Sequence, residues 1–133
     1  MQTKPMISLD DVIRILSAAR TEAERYKWPV AITVVDDGGH VLGMLRLDGC
    51  APIGAGISIA KARTAALGRR ESKAYEDMIN GGRIAFTTAP IIAALEGGVP
   101  LISEGHVVGA VGVSGMKPSE DSQIAKAGVA ALA

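Results

Sequence analysis

Arg46 and Arg83 each stand where a strand or helix is expected to meet a loop, and an arginine fork is the side chain best shaped to hold a carboxylate. They belong to a cationic set that also holds Lys61, Arg63, Arg69 and Arg70. Lys61 and Arg63 are two positions apart in a helical stretch and so point roughly 200° apart, which lets only one of them share a face with a given pocket. Lys61 joins Arg46 and Arg83 as a ligand-binding candidate. Asp48, Glu96 and Glu120 are the carboxylates that could act as acid or base on a small organic acid held by those cations, as a hydrolase or tautomerase would require. Surface pairing of the cations with Asp48, Glu71 or Glu76 is the plainer alternative.

Other chemistries find less support. His40 and His106 each follow a turn, and without a carboxylate or thiol at coordinating spacing they predict no metal site. Cys50 has no neighbouring histidine to lower its pKa, so it reads as a small buried residue rather than a nucleophile. Ser114-Gly115 lacks the Gly-x-Ser-x-Gly elbow and a base, and reads as a turn or capping serine. Neither a dinucleotide fingerprint nor a Walker loop occurs, so the glycines are expected in turns.

The elements that must position these residues follow from periodicity. Ser8 caps a helix expected to run to about Lys27, with Leu9, Val12, Ile13, Leu16, Ala19 and Ala23 as its apolar stripe. Val30 to Val35 and His40 to Leu47 predict strands joined at Asp36-Asp37-Gly38-Gly39. Gly54 to about Ile79 reads as one long helix ended by Asn80-Gly81-Gly82, and Ala89 to Leu95 as a short helix ended by Gly97-Gly98. Val99 to Ser103 and His106 to Val113 predict a second hairpin, and Ser119 is expected to cap a closing helix. Two hairpins without a crossover predict an α+β fold, an antiparallel sheet flanked by helices, in a single domain over residues 1–133.

Fourteen basic against fourteen acidic residues leave no net charge for gripping a phosphate backbone, so nucleic acid is not an expected partner. No apolar run approaches the roughly 20 residues a bilayer requires, so no membrane partner is expected either. A single cysteine and no export-type N-terminus predict a cytoplasmic protein. Nearly half the residues are apolar (48%), yet only one Trp, one Phe and two Tyr are large aromatics. That surplus of small aliphatics in a short chain predicts a homo-oligomer with a small-molecule pocket.

Six motifs, spread from about Ile7 to Leu132, carry a family resemblance: VVDDGGH (34–40), R-x-D-x-CAPI (46–53), KARTAALGRRE (61–71), TAP (88–90), LEGGVP (95–100) and VVGAVGVSG (107–115). In this order they resemble the GlcG/HbpS-like haem-binding family. The resemblance implies a profilin-like or PAS-like sandwich in large homo-oligomers such as octamers. Secreted members resemble haem carriers or degraders, and a related haem-binding domain is fused to cobalamin adenosyltransferases. The nearest look-alikes are cytoplasmic proteins of glycolate-utilisation and aromatic-degradation gene clusters, and the secreted carriers' export signal and acidic extension are not matched here. Two readings stay open. One is a binder of haem or a similar tetrapyrrole, with Arg or Lys on the propionates and His40, His106 or the Thr88 hydroxyl as ligand. The other is a cofactor-free enzyme of a catabolic pathway acting on a small organic acid.

Overall fold

A computed structural model describes residues 1–91 and 93–132. Its elements are α1 (Leu9–Arg25), β1 (Ala31–Asp36), β2 (Val41–Arg46), α2 (Ile53–Gly68), α3 (Lys73–Asn80), a 3-10 helix η1 (Ile84–Thr88), β3 (Gly98–Ser103), β4 (His106–Ser114) and α4 (Pro118–Ala130). The expected hairpins, β1–β2 and β3–β4, join through an antiparallel β1–β4 pairing into one sheet of order β2-β1-β4-β3. The fold is α+β: every strand pairing is antiparallel, and β2 at one edge connects to β3 at the other through α2, α3 and η1. No helix among the described residues is long and apolar enough to cross a membrane.

Helices cover both faces, so β1 is apolar almost throughout rather than alternating. Ile32 and Val34 join Val12, Ile15, Ala19, Val111, Val113, Ile124 and Ala125 under α1 and α4. Val35 and Ala110 point the other way, onto Ala62, Ala65 and Ala66 of α2. Full burial of a side chain such as Ile15, Ile32 or Leu101 contributes about 1.5–3 kcal/mol. On the α2 face the contact is closer than side chains allow: a Cβ on Gly112 would stand 2.1 Å from the Ser58 carbonyl, and one on Gly98 would stand 2.2 Å from that of Lys61. The hydroxyls of Thr33 and Ser58 meet in this layer at 2.8 Å. Ser58 donates its one proton to the Ala55 carbonyl, which makes Thr33 the donor to Ser58.

Four local expectations are corrected. The long helix is two, because Arg69 turns left-handed (φ 57°). That break frees the backbone at Ser72 to donate to the Gly98 carbonyl at 3.0 Å, while the Ser72 hydroxyl donates to Leu95 O at 2.5 Å. The short helix forms earlier, at Ile84–Thr88, since Ala89 precedes Pro90 and is extended (φ −68°, ψ 151°). Of the segment expected to be helical, Ile92 lies outside the described residues. Lys117 rather than Ser119 caps α4, because Pro118 occupies the first helical position. On α1 the buried stripe is Val12, Ile15, Ala19 and Ala23, and Leu9 and Ile13 are exposed. Ser8 caps that helix as expected, accepting from Asp11 N at 3.1 Å while Asp11 accepts from Ser8 N at 2.8 Å.

Candidate functional sites

Two clefts lie beside four of the candidate side chains, Arg46 and Asp48 at one, Arg83 and Thr88 at the other. The larger, about 630 Å³, opens where the end of α1 meets the end of β2. Its shape starts with Lys27, whose left-handed backbone (φ 58°) stops α1 and folds Trp28 back so that its N–H donates to Ala23 O at 2.9 Å. Trp28 stacks on Tyr26 with ring centroids 4.5 Å apart. On the opposite wall, Leu47 N donates to Val30 O at 2.9 Å and Cys50 N to Leu47 O at 3.1 Å, a turn that presents Asp48. Arg46, Asp48, Arg20, Glu24 and Lys27 all line the space, beside Trp28, Pro29, Leu45 and Leu47. Arg20 and Glu24, four residues apart on α1, pair at 2.6 Å. Burial pushes the nearby Cys50 thiol up against the pull of Arg46, which favours the neutral thiol over a nucleophilic thiolate.

The second cleft, about 250 Å³, lies between α2, α3 and η1 and is lined by Thr64, Leu67, Gly68, Tyr75, Phe86, Ala89, Pro90 and Ile91. The Tyr75 and Phe86 rings are nearly parallel, 8° apart with centroids at 5.5 Å. A guanidinium sits over each: Arg70 is 5.7 Å from the Tyr75 centroid and Arg83 is 5.3 Å from that of Phe86. Tyr75 comes this close to α2 only because residue 68 is glycine, where a Cβ would meet the phenol oxygen at 2.1 Å. Thr88, at the end of η1, donates its hydroxyl proton to Ala85 O at 2.8 Å.

The remaining candidates stand apart from both clefts. Lys61 is buried and donates to Asp121 Oδ2 and to Val113 O, each at 3.0 Å. Glu120 accepts from Lys117 N at 3.3 Å in the first turn of α4. Glu96 lies in the loop before β3, close enough for its charge to help hold the Lys73 ammonium protonated, behind Asp77. His40 N donates to the Asp36 carboxylate at 2.9 Å and His106 opens β4, and neither imidazole lines a cleft. Among the described residues no three His, Cys, Asp or Glu side chains are grouped to hold a metal ion.

Sequence reasoning missed what Arg46 and Asp48 face, namely Arg20, Glu24 and Trp28. The Arg20–Glu24 spacing was visible, but β2's place as an edge strand beside α1 was not. It also missed the Tyr75–Phe86 stack, since nothing local shows that a ring lies on Gly68.

The family model described as "Haem degrading protein HbpS-like" matches residues 7–130. Protein GlcG of Escherichia coli (strain K12) is 55% identical over 114 residues, which are 86% of this chain and 85% of GlcG. A double mutant of HbpS from Streptomyces reticuli superposes with a TM-score of 0.89 at 28% identity, covering 100% of this chain and 91% of that one. The PduOC:Heme complex shares the fold, with a TM-score of 0.87 at 23% identity over 96% of this chain and 95% of that one. The chain belongs to the family of haem degrading protein HbpS-like.

Proposed function

We propose that this protein binds a planar, carboxylate-bearing macrocycle of the haem class in the cleft between α2, α3 and η1. The observation that carries the reading is the stacked Tyr75–Phe86 pair with a guanidinium over each ring: the two rings form one apolar wall of the cleft, and Arg70 and Arg83 beside them can fork onto propionates. The larger cleft suits such a ligand less well, because Glu24 and Asp48 would face its propionates. Haem bound to the related PduOC, and the haem-degrading description of the family, support the same ligand class.

The fit is partial. At about 250 Å³ the slot is smaller than the pockets that enclose drug-sized ligands, so a macrocycle inserted by one edge needs a second copy or solvent over the rest. An iron ligand would come from oxygen: Tyr75 lines the slot, and Thr88 keeps its oxygen lone pairs available while donating to Ala85 O. Among the described residues no carboxylate or histidine lines this cleft, which favours binding over turnover there. The unpaired, buried Cys50 is compatible with a cytoplasmic setting.

Hemin titration tests the reading. The expected result is saturation at a fixed ratio per subunit with a shifted Soret band that changes in Tyr75→Phe or Thr88→Val and persists in His40→Ala and His106→Ala. Uptake that fails to saturate, or a spectrum indifferent to both oxygen donors, would overturn it.

A further inference from the structure

The cleft at the end of α1 is a different kind of place. Its lining carries three cations, Arg20, Lys27 and Arg46, against two carboxylates, Glu24 and Asp48. Arg20 and Glu24 neutralise each other at 2.6 Å. Arg46, Lys27 and Asp48 make no ion pair or side-chain hydrogen bond among the described residues. One wall therefore holds a guanidinium and a carboxylate two residues apart with no hydrogen-bonded side-chain partner, Asp48 lying within reach of the Arg20 charge, and the whole lining has an excess of one positive charge. The opposite wall is Trp28, stacked on Tyr26 and fixed by its backbone bond to Ala23. Gly49 supplies the left-handed backbone (φ 90°) on which this turn is built.

We propose that this cleft is a second binding site, separate from the macrocycle slot, for a small monoanionic hydroxy-carboxylic acid with an apolar or aromatic substituent. Each part of the ligand answers a feature of the lining. The carboxylate takes the Arg46 fork, with Lys27 as a further cation. The hydroxyl donates to Asp48, which as a carboxylate can only accept. The apolar group lies on Trp28, Leu45 and Leu47. The single surplus positive charge selects a monoanion: an amino acid would enter as a zwitterion and leave that charge unbalanced, and a dianion would overshoot it.

The protein supplies its own reporter, since Trp28 is its one tryptophan. Racemic mandelate, phenylacetate and benzyl alcohol form a series with both groups, without the hydroxyl and without the carboxylate. Each would be titrated into the 133-residue protein by calorimetry and by the Trp28 indole N–H resonance. Mandelate is expected to saturate in the millimolar range or below, to shift that resonance, and to bind more tightly than either of the others. Arg46→Gln should weaken mandelate at least about tenfold, because it removes the charge and the fork together. In Asp48→Ala, which removes the acceptor, the preference for mandelate over phenylacetate measured in the same variant should disappear, whatever the added positive charge does to both acids. Arg46 and Asp48 are both exposed, so neither change threatens the fold, and neither should alter the hemin titration. Mandelate that does not saturate, benzyl alcohol that binds as well as mandelate, or affinity indifferent to Arg46→Gln would each overturn the proposal.

Discussion

Lys61 Nζ lies 3.0 Å from Asp121 Oδ2, with both side chains almost wholly buried. Lys61 belongs to α2 and Asp121 to α4, on opposite faces of the sheet, so the pair ties the two helical layers together past Val113. Gly97 leaves room for it, since a Cβ there would stand 2.9 Å from the ammonium nitrogen. Burial pushes the Asp121 carboxyl above its ordinary value, and Lys61 and the Met116 and Gly115 amides pull it back. In Lys61→Met the strongest of those pulls is gone and the carboxyl rises further. With a folded value above the unfolded one, the stabilisation is fully present below the unfolded pKa and lost as pH rises through the folded pKa. The variant should therefore lose about 3–5 kcal/mol at neutral pH and progressively less on acidification. Urea melts across that range, with Lys61→Met/Asp121→Leu recovering most of the neutral-pH loss, check it. A loss that does not change with pH would contradict the assignment.

The closeness of α2 to the sheet predicts an asymmetry between two glycines. Gly112→Ala would drive a methyl group into the Ser58 carbonyl and the Ala62 nitrogen, 2.1 and 2.5 Å away, and should cost about 3 kcal/mol or more as the helix is pushed outward. Gly56→Ala, on the exposed side of the same helix with nothing within 4 Å, should stabilise by about 0.5–1 kcal/mol through helix propensity. Chemical denaturation of the two variants measures both, and similar signs would exclude direct helix-on-glycine packing.

Both hairpins and their turns were legible because Asp36-Asp37-Gly38-Gly39 and Glu104-Gly105 are local signals, read from neighbouring residues alone. The break at Arg69 was not, because the contact it allows is non-local: Ser72 bonds to Gly98, 26 residues further along the chain. The exposure of Leu9 and Ile13 escaped the periodicity argument for a related reason. An apolar stripe wider than the buried one looks the same on a helical wheel, and only the packing of α4 and β2 decides which edge is covered. The site divides along the same line. Arg46 and Asp48, two residues apart in sequence, were visible as candidates. The approach of Trp28, and the stacking of Tyr75 on Phe86 over Gly68, join separate elements.

That uncovered stripe has its own consequence. Met6, Leu9 and Ile13 are 89%, 70% and 54% exposed, and the last two are one helical turn apart on α1. An apolar line of this kind is expected to be covered in a homo-oligomer. Light scattering at micromolar concentration should give a defined multi-subunit mass, and Leu9→Glu/Ile13→Glu should move it toward the monomer with little change in melting temperature. A monomeric wild type would remove the expectation.

Arg83 and Arg70 allow binding to be separated from stability. Both are exposed, and the contacts seen for their guanidiniums are with Phe86 and Tyr75, apart from one bond from Arg70 to Gly68 O at 3.3 Å. An exposed cation over a ring contributes only about 0.5–1 kcal/mol, so Arg83→Ala should shift the melting temperature by no more than a few degrees. On a ligand the same side chain acts through a charge-assisted fork, and its removal should weaken hemin about tenfold or more. Arg70→Ala should behave alike, and the double variant should lose close to the product of the two if each arginine holds its own propionate. Parallel hemin titrations and thermal melts of the three variants check this. Losses of stability as large as the losses of affinity would make the arginines part of the scaffold, and a double variant no weaker than either single one would show them sharing one contact.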